Sequence, residues 1–322
     1  MNRRDAVFAL LALGAGPRVA EAQQSKAVPR IGVLRTPPRT DHLFQALLTG
    51  LRELGYVEGK TVLIEYRQGG DERLPELAQE LVRSKVDLIF APNPAAAQAA
   101  RKATATIPIV VAAIGDAVRT GLAASLARPG GNVTGLAALG SNLSGKRLEL
   151  LKEIVPRLSR VAVLWNPNIP DKVVEWKEME QPARALKLEL LSIEVRAPAD
   201  FDQAFESARR LRPEALIALG EPLVFTQRGR VIQFAAQARL PAIFNWREAA
   251  EEGALIAYGP DISDLYRRSA TYIDKILKGA KPGDLPIEEP ARFDFVVNRK
   301  TANALGVTLP QSILLRADRV IE

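Results

Sequence analysis

Short apolar runs alternate with stretches of helical periodicity along most of the chain. The run RIGVLR (30–35) is followed by TDHLFQALLTGLRELG, where leucine and phenylalanine recur at the spacing of one helix face. The alternation continues through TVLIEY (61–66), the helical pattern LPELAQELVRSK and the apolar run VDLIFAP. The pattern then predicts a helix in PAAAQAARKAT, a strand in IPIVVAAI, a helix in VRTGLAASLA (118–127) and a strand in NVTGLAAL (132–139). Such alternation indicates right-handed βαβ units, and hence a parallel sheet covered by helices on both faces.

The same series begins again in the second half of the chain. RVAVLWNP (160–167) echoes RIGVLRTP (30–37), and PEALIALGEP (213–222) echoes VDLIFAPNP (86–94). RLPAIFNW echoes TIPIVVAAI in turn, and GALIAYGP takes the place of NVTGLAAL. Because these pairs follow one another in the same order, we interpret the chain as two similar α/β halves in series and not as one large sheet.

The first residues have the organisation of a secretory signal peptide. MNRRDAVFALLALGAGPRVAEAQQ places two arginines before a short apolar run, and the small-x-small sequence AEA follows. The apolar run is shorter than the roughly 20 residues that a membrane span needs. We therefore expect residues 1–22 to be cleaved near Ala22 and the mature protein to be periplasmic, the alternative being a retained amphipathic helix. The pair Arg3-Arg4 leaves the Sec and twin-arginine export routes both open.

Composition changes this picture mainly by what it excludes. The chain has 322 residues with 47% hydrophobic and 25% charged side chains, which suits a globular protein of two domains. Its net charge of +7 comes from basic residues scattered among acids, so we expect a solvated surface and no nucleic-acid partner. The absence of cysteine excludes disulfides and cysteine-ligated metals, and the single histidine, His42, cannot form a histidine-rich metal site. We expect a monomer with no cofactor and no bound metal.

Polar and aromatic side chains stand where the predicted strands end. Ligands of open parallel sheets bind beyond the carboxyl ends of the strands, so two facing halves would line one cleft with these residues. Several have a simpler alternative, because asparagine and aspartate are strong helix caps and tryptophan packs well in cores. The candidate ligand-binding residues are Arg35, Thr36, Asn93, Asp116, Trp165, Asn166, Glu221, Asn245, Trp246 and Tyr258.

Asp116 is the candidate with the sharpest expected role. It follows the apolar run IPIVVAAI and a glycine in the stretch GDAVRTG. A carboxylate that becomes desolvated when two lobes close needs a partner, because an unpaired buried charge is costly. We expect Asp116 to meet the cationic or hydroxyl-donating part of a ligand. The alternative is that it caps the helix that follows.

The remaining candidates would orient and enclose the ligand. Small-molecule sites are mostly apolar with a few placed polar groups. Helix starts after residues 36, 93 and 166 would offer backbone N–H groups to a carboxylate. This combination favours a small zwitterion or related small carboxylate, such as an amino acid with an aromatic or branched side chain. We assign polar orientation to Asn93, Glu221 and Asn245, and flat apolar surfaces on the opposite wall to Trp165 and Trp246.

The motifs of common catalytic sites are missing from the sequence. It contains no Gly-x-Ser-x-Gly elbow, no P-loop lysine motif and no metal-binding histidine pair. The sequence therefore gives a catalytic site no positive support. An enzyme that uses the same cleft and a ligand-sensing receptor without transport stay open as alternatives. A transcription regulator of this architecture would need a DNA-binding headpiece where the signal peptide is predicted.

Longer stretches of the chain resemble one family. IPIVVAAIGDAVRTGLAASLARPGGNVTGL, LSGKRLELLKEIVP, RVAVLWNPNIP, LPAIFNWREAAEEGALIAYGPD and FDFVVNRKTANALGVTLPQSILLRADRVIE are similar to the ABC-transporter substrate-binding proteins of the TrpX-like family. The resemblance implies the type I periplasmic-binding-protein fold, with two Rossmann-like lobes joined by a hinge, and delivery of a small solute to an ABC permease and its ATPase. We therefore favour a non-enzymatic solute receptor that closes by a hinge on its ligand. Characterised relatives bind amino acids, aromatic ones among them. Ala117 stands where many relatives have proline, and Pro92-Asn93-Pro94 replaces a common Gly-Thr-Pro, so ligand identity does not follow from the resemblance.

The domain boundaries follow from these patterns. We expect lobe I over residues 30–138, lobe II over residues 140–260, and a C-terminal segment over residues 261–322 that crosses back towards lobe I and the hinge. The crossing helix is DLYRRSATYIDKILKG, whose apolar residues recur on one face, and FDFVVN predicts a further strand. Which lobe receives residues 288–322 stays open at this point.

Overall fold

Two separate sheets divide the molecule into lobe I and lobe II. The computed structural model describes residues 28–36, 41–138 and 143–322, so the predicted signal peptide lies outside the described residues. All strands of the lobe I sheet pair in parallel. They are β1 (Arg30–Arg35), β2 (Leu63–Gln68), β3 (Leu88–Phe90), β4 (Ile109–Ile114) and β5 (Val133–Ala137), in the spatial order β2-β1-β3-β4-β5.

Helices cover both faces of this sheet because each carries an apolar stripe. The stripe of α2 (Leu74–Arg83) includes Leu77 and Leu81, and it packs with α3 (Pro94–Ala103) on one face. Asn93 caps α3, and Pro94 follows at the first helical position, where its missing N–H leaves no hydrogen bond unmade. α1 (Asp41–Glu53) packs on the opposite face of the sheet.

Lobe II repeats this arrangement strand for strand. Its sheet contains the parallel order β7-β6-β8-β9-β10, which matches β2-β1-β3-β4-β5. The interpretation of the chain as two similar α/β halves is therefore confirmed. In chain order the elements are α4 (Ser144–Ile154), β6 (Arg160–Trp165), α5 (Pro170–Ala185), β7 (Glu189–Glu194), α6 (Phe201–Leu211), β8 (Ala215–Ala218), α7 (Pro222–Thr226), α8 (Arg228–Gln237), β9 (Ala242–Phe244), α9 (Arg247–Glu251) and β10 (Ile256–Pro260).

The C-terminal segment contributes to both lobes. α10 (Ile262–Leu277) returns to lobe I and packs against α1, β4 and β5. Glu288 then forms an isolated β-bridge with Leu136 at the edge of the lobe I sheet, and the chain returns to lobe II. β11 (Phe293–Asn298) pairs antiparallel with β10, and β12 (Arg319–Ile321) pairs with β11, so both extend the lobe II sheet. The last two helices are α11 (Arg299–Leu305) and α12 (Gln311–Arg316).

The helix predicted over residues 118–127 is wrong. This segment forms a series of turns and bends instead. Asp116 Oδ1 accepts the N–H groups of both Val118 and Arg119, each at 3.0 Å, and Gly121 adopts a left-handed conformation with a φ of 71°. The carbonyl oxygen of Ala117 then accepts from the two successive amides that follow the glycine, which closes a tight turn and not a helix. The small residues of this stretch supply too little apolar surface to override that turn chemistry.

Acidic side chains gather where the chain crosses between the lobes. Asp294 on β11 lies opposite Gly259 on β10, close to the carboxylates of Asp261 and Glu248. Burial and the charge of Asp261 raise the pKa of Asp294 to about 6, and the guanidinium of Arg247 opposes the rise. The folded protein therefore keeps an ionised carboxylate here at some cost in stability above that pH.

Replacing Asp294 by asparagine should remove this cost. Between the ordinary aspartate pKa of 3.8 and about 6, the folded protein binds a proton more readily than the unfolded chain, so the free energy of unfolding falls as the pH rises. We expect Asp294→Asn to raise that free energy by about 1 kcal/mol near pH 8, a value reduced for partial exposure, with no gain below about pH 4. Urea unfolding at several pH values measures the effect, with the exposed Asp284→Asn as control. A gain that is the same at all pH values would contradict the assignment.

Candidate functional site

The loops after the strands of one lobe meet those of the other. A Cβ on Gly115, directly after β4, would lie 2.0 Å from Oδ2 of Asp171 near the start of α5. His42 on α1 contacts Glu248 on α9, with 2.8 Å between Nε2 and Oε1. These contacts join the two lobes along the edge where parallel strands present their carboxyl ends, so we call the region between them the interlobe cleft.

Thr36 and Asn93 stand together on the lobe I side of the cleft. Asn93 Oδ1 accepts the N–H of Ala96 at 3.0 Å, and its Nδ2 donates to Oγ1 of Thr36 at 3.1 Å. Both side chains are half-buried. The guanidinium of Arg35 lies 5.4 Å from the ring centroid of Phe44. The side-chain amide of Asn93 thus links the end of β3 to the end of β1, because it caps α3 and binds the hydroxyl group of Thr36.

Asp116 holds a turn of its own loop, and not the start of a helix as the alternative from the sequence had it. Its Oδ1 accepts two backbone N–H groups of its own turn, and its Oδ2 accepts from the guanidinium of Arg119 at 3.0 Å. Burial alone would raise the pKa of Asp116, but the backbone and side chain of Arg119 hold it below the usual value. With both oxygens engaged locally, Asp116 has little capacity left for a ligand.

Trp165 lies in the core of lobe II and not on the wall of the cleft. Only 6% of its surface is exposed, and its ring stacks on that of Trp176 with centroids 5.4 Å apart. Its Nε1–H donates to Oγ of Ser192 at 2.8 Å. Trp165 therefore does not offer the flat surface that we expected for a ligand, because its side chain fills the space between β6, β7 and α5. Trp246 is half-buried, and its ring meets Phe225 edge-on at 5.0 Å.

Glu221 caps α7 after β8, and Asn166 caps the turn after β6. Glu221 accepts the N–H groups of Leu223 and Val224 at 2.7 and 2.9 Å, and only 5% of its surface is exposed. Burial raises the pKa of Glu221, and the carboxylate of Asp71 across the cleft adds to the rise, although the two N–H groups oppose it. Asn166 Oδ1 accepts the N–H of Asn168 at 2.9 Å.

A buried arginine joins Asn245 and Tyr258. Arg147 on α4 is fully buried, and its Nε donates to the carbonyl oxygen of Tyr258 at 2.9 Å. With the Asn245 amide oriented to satisfy its neighbours, its oxygen accepts from Arg147 Nη2 at 3.1 Å and its nitrogen donates to the Ala218 carbonyl. Tyr258 is half-buried and lies edge-on to Phe295. The positions of these two candidate residues thus depend on an arginine that strand-end reasoning could not find, since it lies on a helix.

Glu175 neutralises Arg147 inside lobe II. Its Oε1 accepts from Arg147 Nη1 at 3.2 Å and from Oγ of Ser144 at 2.8 Å, and its Oε2 contacts Nζ of Lys172 at 2.6 Å. Burial alone would raise the pKa of Glu175, but the charges of Lys172 and Arg147 lower it. Every charge in this network has a partner, as a buried ionic cluster requires.

Asp171 is the second residue that strand-end reasoning missed. It lies in the first turn of α5, and its Oδ1 is buried without a hydrogen-bond partner among the described residues. Burial raises its pKa, and Asp116 and Glu175 raise it further against the opposing charges of Lys172 and Arg119. The sequence feature that could have identified Asp171 is the helix start at Pro170, which follows the end of β6.

Three further observations concern the cavities, the metal-binding side chains and the helices of the described residues. A pocket of about 200 Å³ lies at the opposite end of the lobe II sheet, lined by residues such as Ala242, Leu255 and Leu305, and it is remote from the cleft. Residues 28–36, 41–138 and 143–322 include no group of three or more metal-binding side chains. None of the helices in the described ranges has both the length and the hydropathy of a membrane span.

Arg147→Met should lower the free energy of unfolding by about 3–5 kcal/mol, because it leaves Glu175 buried with one cationic partner fewer. Chemical denaturation measures the loss, and Arg157→Met is a matched control, since Arg157 is exposed. An equal effect of the two substitutions would mean that the buried network adds nothing to stability.

Comparison with known proteins assigns the architecture to a family. The sequence profile described as "ABC transporter substrate binding protein" matches residues 32–321, which is nearly the whole described chain. A protein of Clostridioides difficile named tyrosine-binding protein is 27% identical over 288 residues, covering 88% of this chain and 82% of that protein.

Solved structures agree over the same length. A Streptococcus pneumonia ABC domain in complex with L-Trp superposes with a TM-score of 0.86 at 25% identity, covering 92% of this chain and all of that one. The ligand-free, open structure of a substrate-binding protein from Clostridium difficile gives a TM-score of 0.69 at 26% identity, covering 91% of this chain and 99% of that one. The fold class expected from the sequence is confirmed, and the chain belongs to the family of ABC transporter substrate-binding proteins.

Proposed function

We propose that this protein is the exported solute-binding component of an ABC importer and that it captures an amino acid with an aromatic side chain in the interlobe cleft. The observation that carries the proposal is the contact of Gly115 with Asp171, which brings the strand ends of the two lobes together. A ligand held there would be enclosed by both lobes and released when they separate, as a carrier requires. The partners are the permease and the ATPase of the transporter.

The amino-acid class rests on the relatives and on the chemistry of the cleft. One relative is named for tyrosine and one solved relative holds L-Trp. In this chain, a half-buried tyrosine packs edge-on against a buried phenylalanine in each lobe, Tyr266 against Phe90 in lobe I and Tyr258 against Phe295 in lobe II. Flat apolar surfaces with a few polar groups between them suit an aromatic zwitterion.

Closure of the lobes is part of the proposal. The chain crosses between the lobes three times, after β5, after β10 and before β11, and several short crossings of this kind are typical of hinge-bending proteins. The higher TM-score to the L-Trp complex than to the open, ligand-free relative, at similar identity, supports a closed arrangement of the present lobes. Contacts such as His42 with Glu248 would then form on closing.

The cleft residues divide into those that would meet the ligand and those that hold the loops. We propose direct contact for the side chains that retain exposed surface and polar capacity. Asp116, Asn166 and Glu221 act through the turns they cap, and Trp165 supports the end of β6 from the core. The direct contacts are assigned to the half-buried Arg35, Thr36, Asn93, Trp246 and Tyr258. Asn245 is buried, so we assign it a supporting role through its hydrogen bonds to Arg147 and Ala218.

A thermal-shift screen against the amino acids, small carboxylates, nucleosides and sugars tests the ligand class. We expect L-tyrosine or L-tryptophan to raise the melting temperature in a dose-dependent way, since a ligand at roughly 100 times its Kd stabilises the folded state by about 2.7 kcal/mol. Mass spectrometry should recover the ligand unchanged, as expected for a receptor. A rise with sugars or nucleosides alone, or chemical turnover of the ligand, would overturn the proposal.

Gly115→Ala tests closure. The added methyl group would lie 2.0 Å from Asp171 Oδ2, so the lobes must stay apart or the carboxylate must turn away. Overpacking of this kind costs roughly 1–3 kcal/mol, so we expect Kd to rise about tenfold or more. Gly131→Ala is the matched control, because a Cβ there meets nothing within 4 Å. Small-angle scattering should show compaction on ligand addition for the control and less for Gly115→Ala, and equal compaction with equal affinity would refute the closure contact.

A further inference from the structure

Asp171 is a carboxylate at the interlobe contact that the fold leaves partly unused. Its Oδ2 lies against the backbone of Gly115 in the other lobe, and its Oδ1 is buried without a hydrogen-bond partner among the described residues. Buried polar atoms in native proteins are nearly always paired, and a charged one without a partner is costly. Such an atom at the cleft indicates a group that arrives from outside the chain.

The neighbouring cations do not fill this role because each is engaged elsewhere. Lys172 Nζ lies 2.6 Å from Oε2 of Glu175, and Arg119 Nη2 lies 3.0 Å from Oδ2 of Asp116. The charges of both residues lower the pKa of Asp171, but neither donates a hydrogen bond to it. A cation able to donate directly to Asp171 is therefore still needed to balance the carboxylate.

Three other acids near this contact, Asp116, Glu221 and Glu175, have no comparable capacity. The oxygens of Asp116 accept hydrogen bonds from its own turn and from Arg119. Each oxygen of Glu221 accepts one backbone N–H group. Glu175 is saturated by Arg147, Ser144 and Lys172. The expectation from sequence that a carboxylate meets the cationic part of the ligand thus applies to a different residue than the one it named.

We propose that Asp171 receives the cationic group of the ligand, the α-ammonium when the ligand is an amino acid, and that this contact couples binding to closure of the lobes. This inference rests on the proposed function of the cleft. Asp171 belongs to lobe II and approaches Gly115 only when the lobes meet, so closing without a cation leaves its Oδ1 buried without a partner. An ammonium group removes that cost, and a ligand that favours the closed state shifts the population towards it.

Calorimetry with three matched probes tests the contact. The probes are L-tyrosine, tyramine, which lacks the carboxylate, and 3-(4-hydroxyphenyl)propionate, which lacks the ammonium. We expect Asp171→Asn to weaken L-tyrosine and tyramine about 30-fold, as for truncation of one side of a buried charge pair, and to change the propionate less than about threefold. The control is Asp87→Asn, an exposed carboxylate at the far edge of the lobe I sheet that accepts the N–H of Arg30.

A second measurement needs no ligand. Without its charge, residue 171 no longer opposes closure, so the free Asp171→Asn protein should have a smaller radius of gyration than the free wild type and at least the same melting temperature. If Asp171→Asn binds L-tyrosine as the wild type does, or is no more compact, the role of Asp171 is refuted while the amino-acid receptor stands. If the wild type binds only probes without an ammonium group, or none of them, both this inference and the amino-acid assignment fall.

Discussion

Parallel strands present all their carboxyl ends at one edge of a sheet, and this constraint governs what the cleft residues can do. Each strand there leads into a helix or turn whose first N–H groups have no partner within the element. Asn93, Asp116 and Glu221 meet that need with their side-chain oxygens. The fold thus uses polar side chains at the strand ends to complete its own backbone, and a ligand must be met by groups that the loops do not require.

The buried network of Arg147 determines where one such group lies. Asp171 and Glu175 are four residues apart on α5, so their side chains share one face of the helix. Arg147, Ser144 and Lys172 hold Glu175, and this anchors the first turn of α5 to α4 and to the end of β10. A buried ion pair is weak support for stability in itself, but here it orients the helix start that faces lobe I.

The order of strands and helices could be predicted from the sequence because periodicity and repetition are local signals. The helix predicted over residues 118–127 does not form, because the hydrogen bonds of Asp116 and the left-handed conformation of Gly121 impose turns. Hydrophobic periodicity does not reveal such turns. At the site, the strand ends were predictable, but the direction of Trp165 was not, because β6 is buried on both faces and shows no alternation. Arg147 and Asp171 were not identified from the sequence because they lie on helices and not at strand ends. Their contacts arise only where separate elements meet.

Charge across the cleft would favour separated lobes in the absence of the proposed ligand. Asp116 raises the pKa of the desolvated Asp171, and Asp71 raises that of the buried Glu221, so acids of lobe I approach acids of lobe II at two places. Arg119 and Lys172 reduce this repulsion but are bound to carboxylates of their own lobes. Because the cost would grow as water leaves a closing cleft, a ligand that brings its own positive charge would gain most from the proposed closure. The electrostatics that oppose the empty closed state are therefore the same ones that would select a cationic or zwitterionic solute.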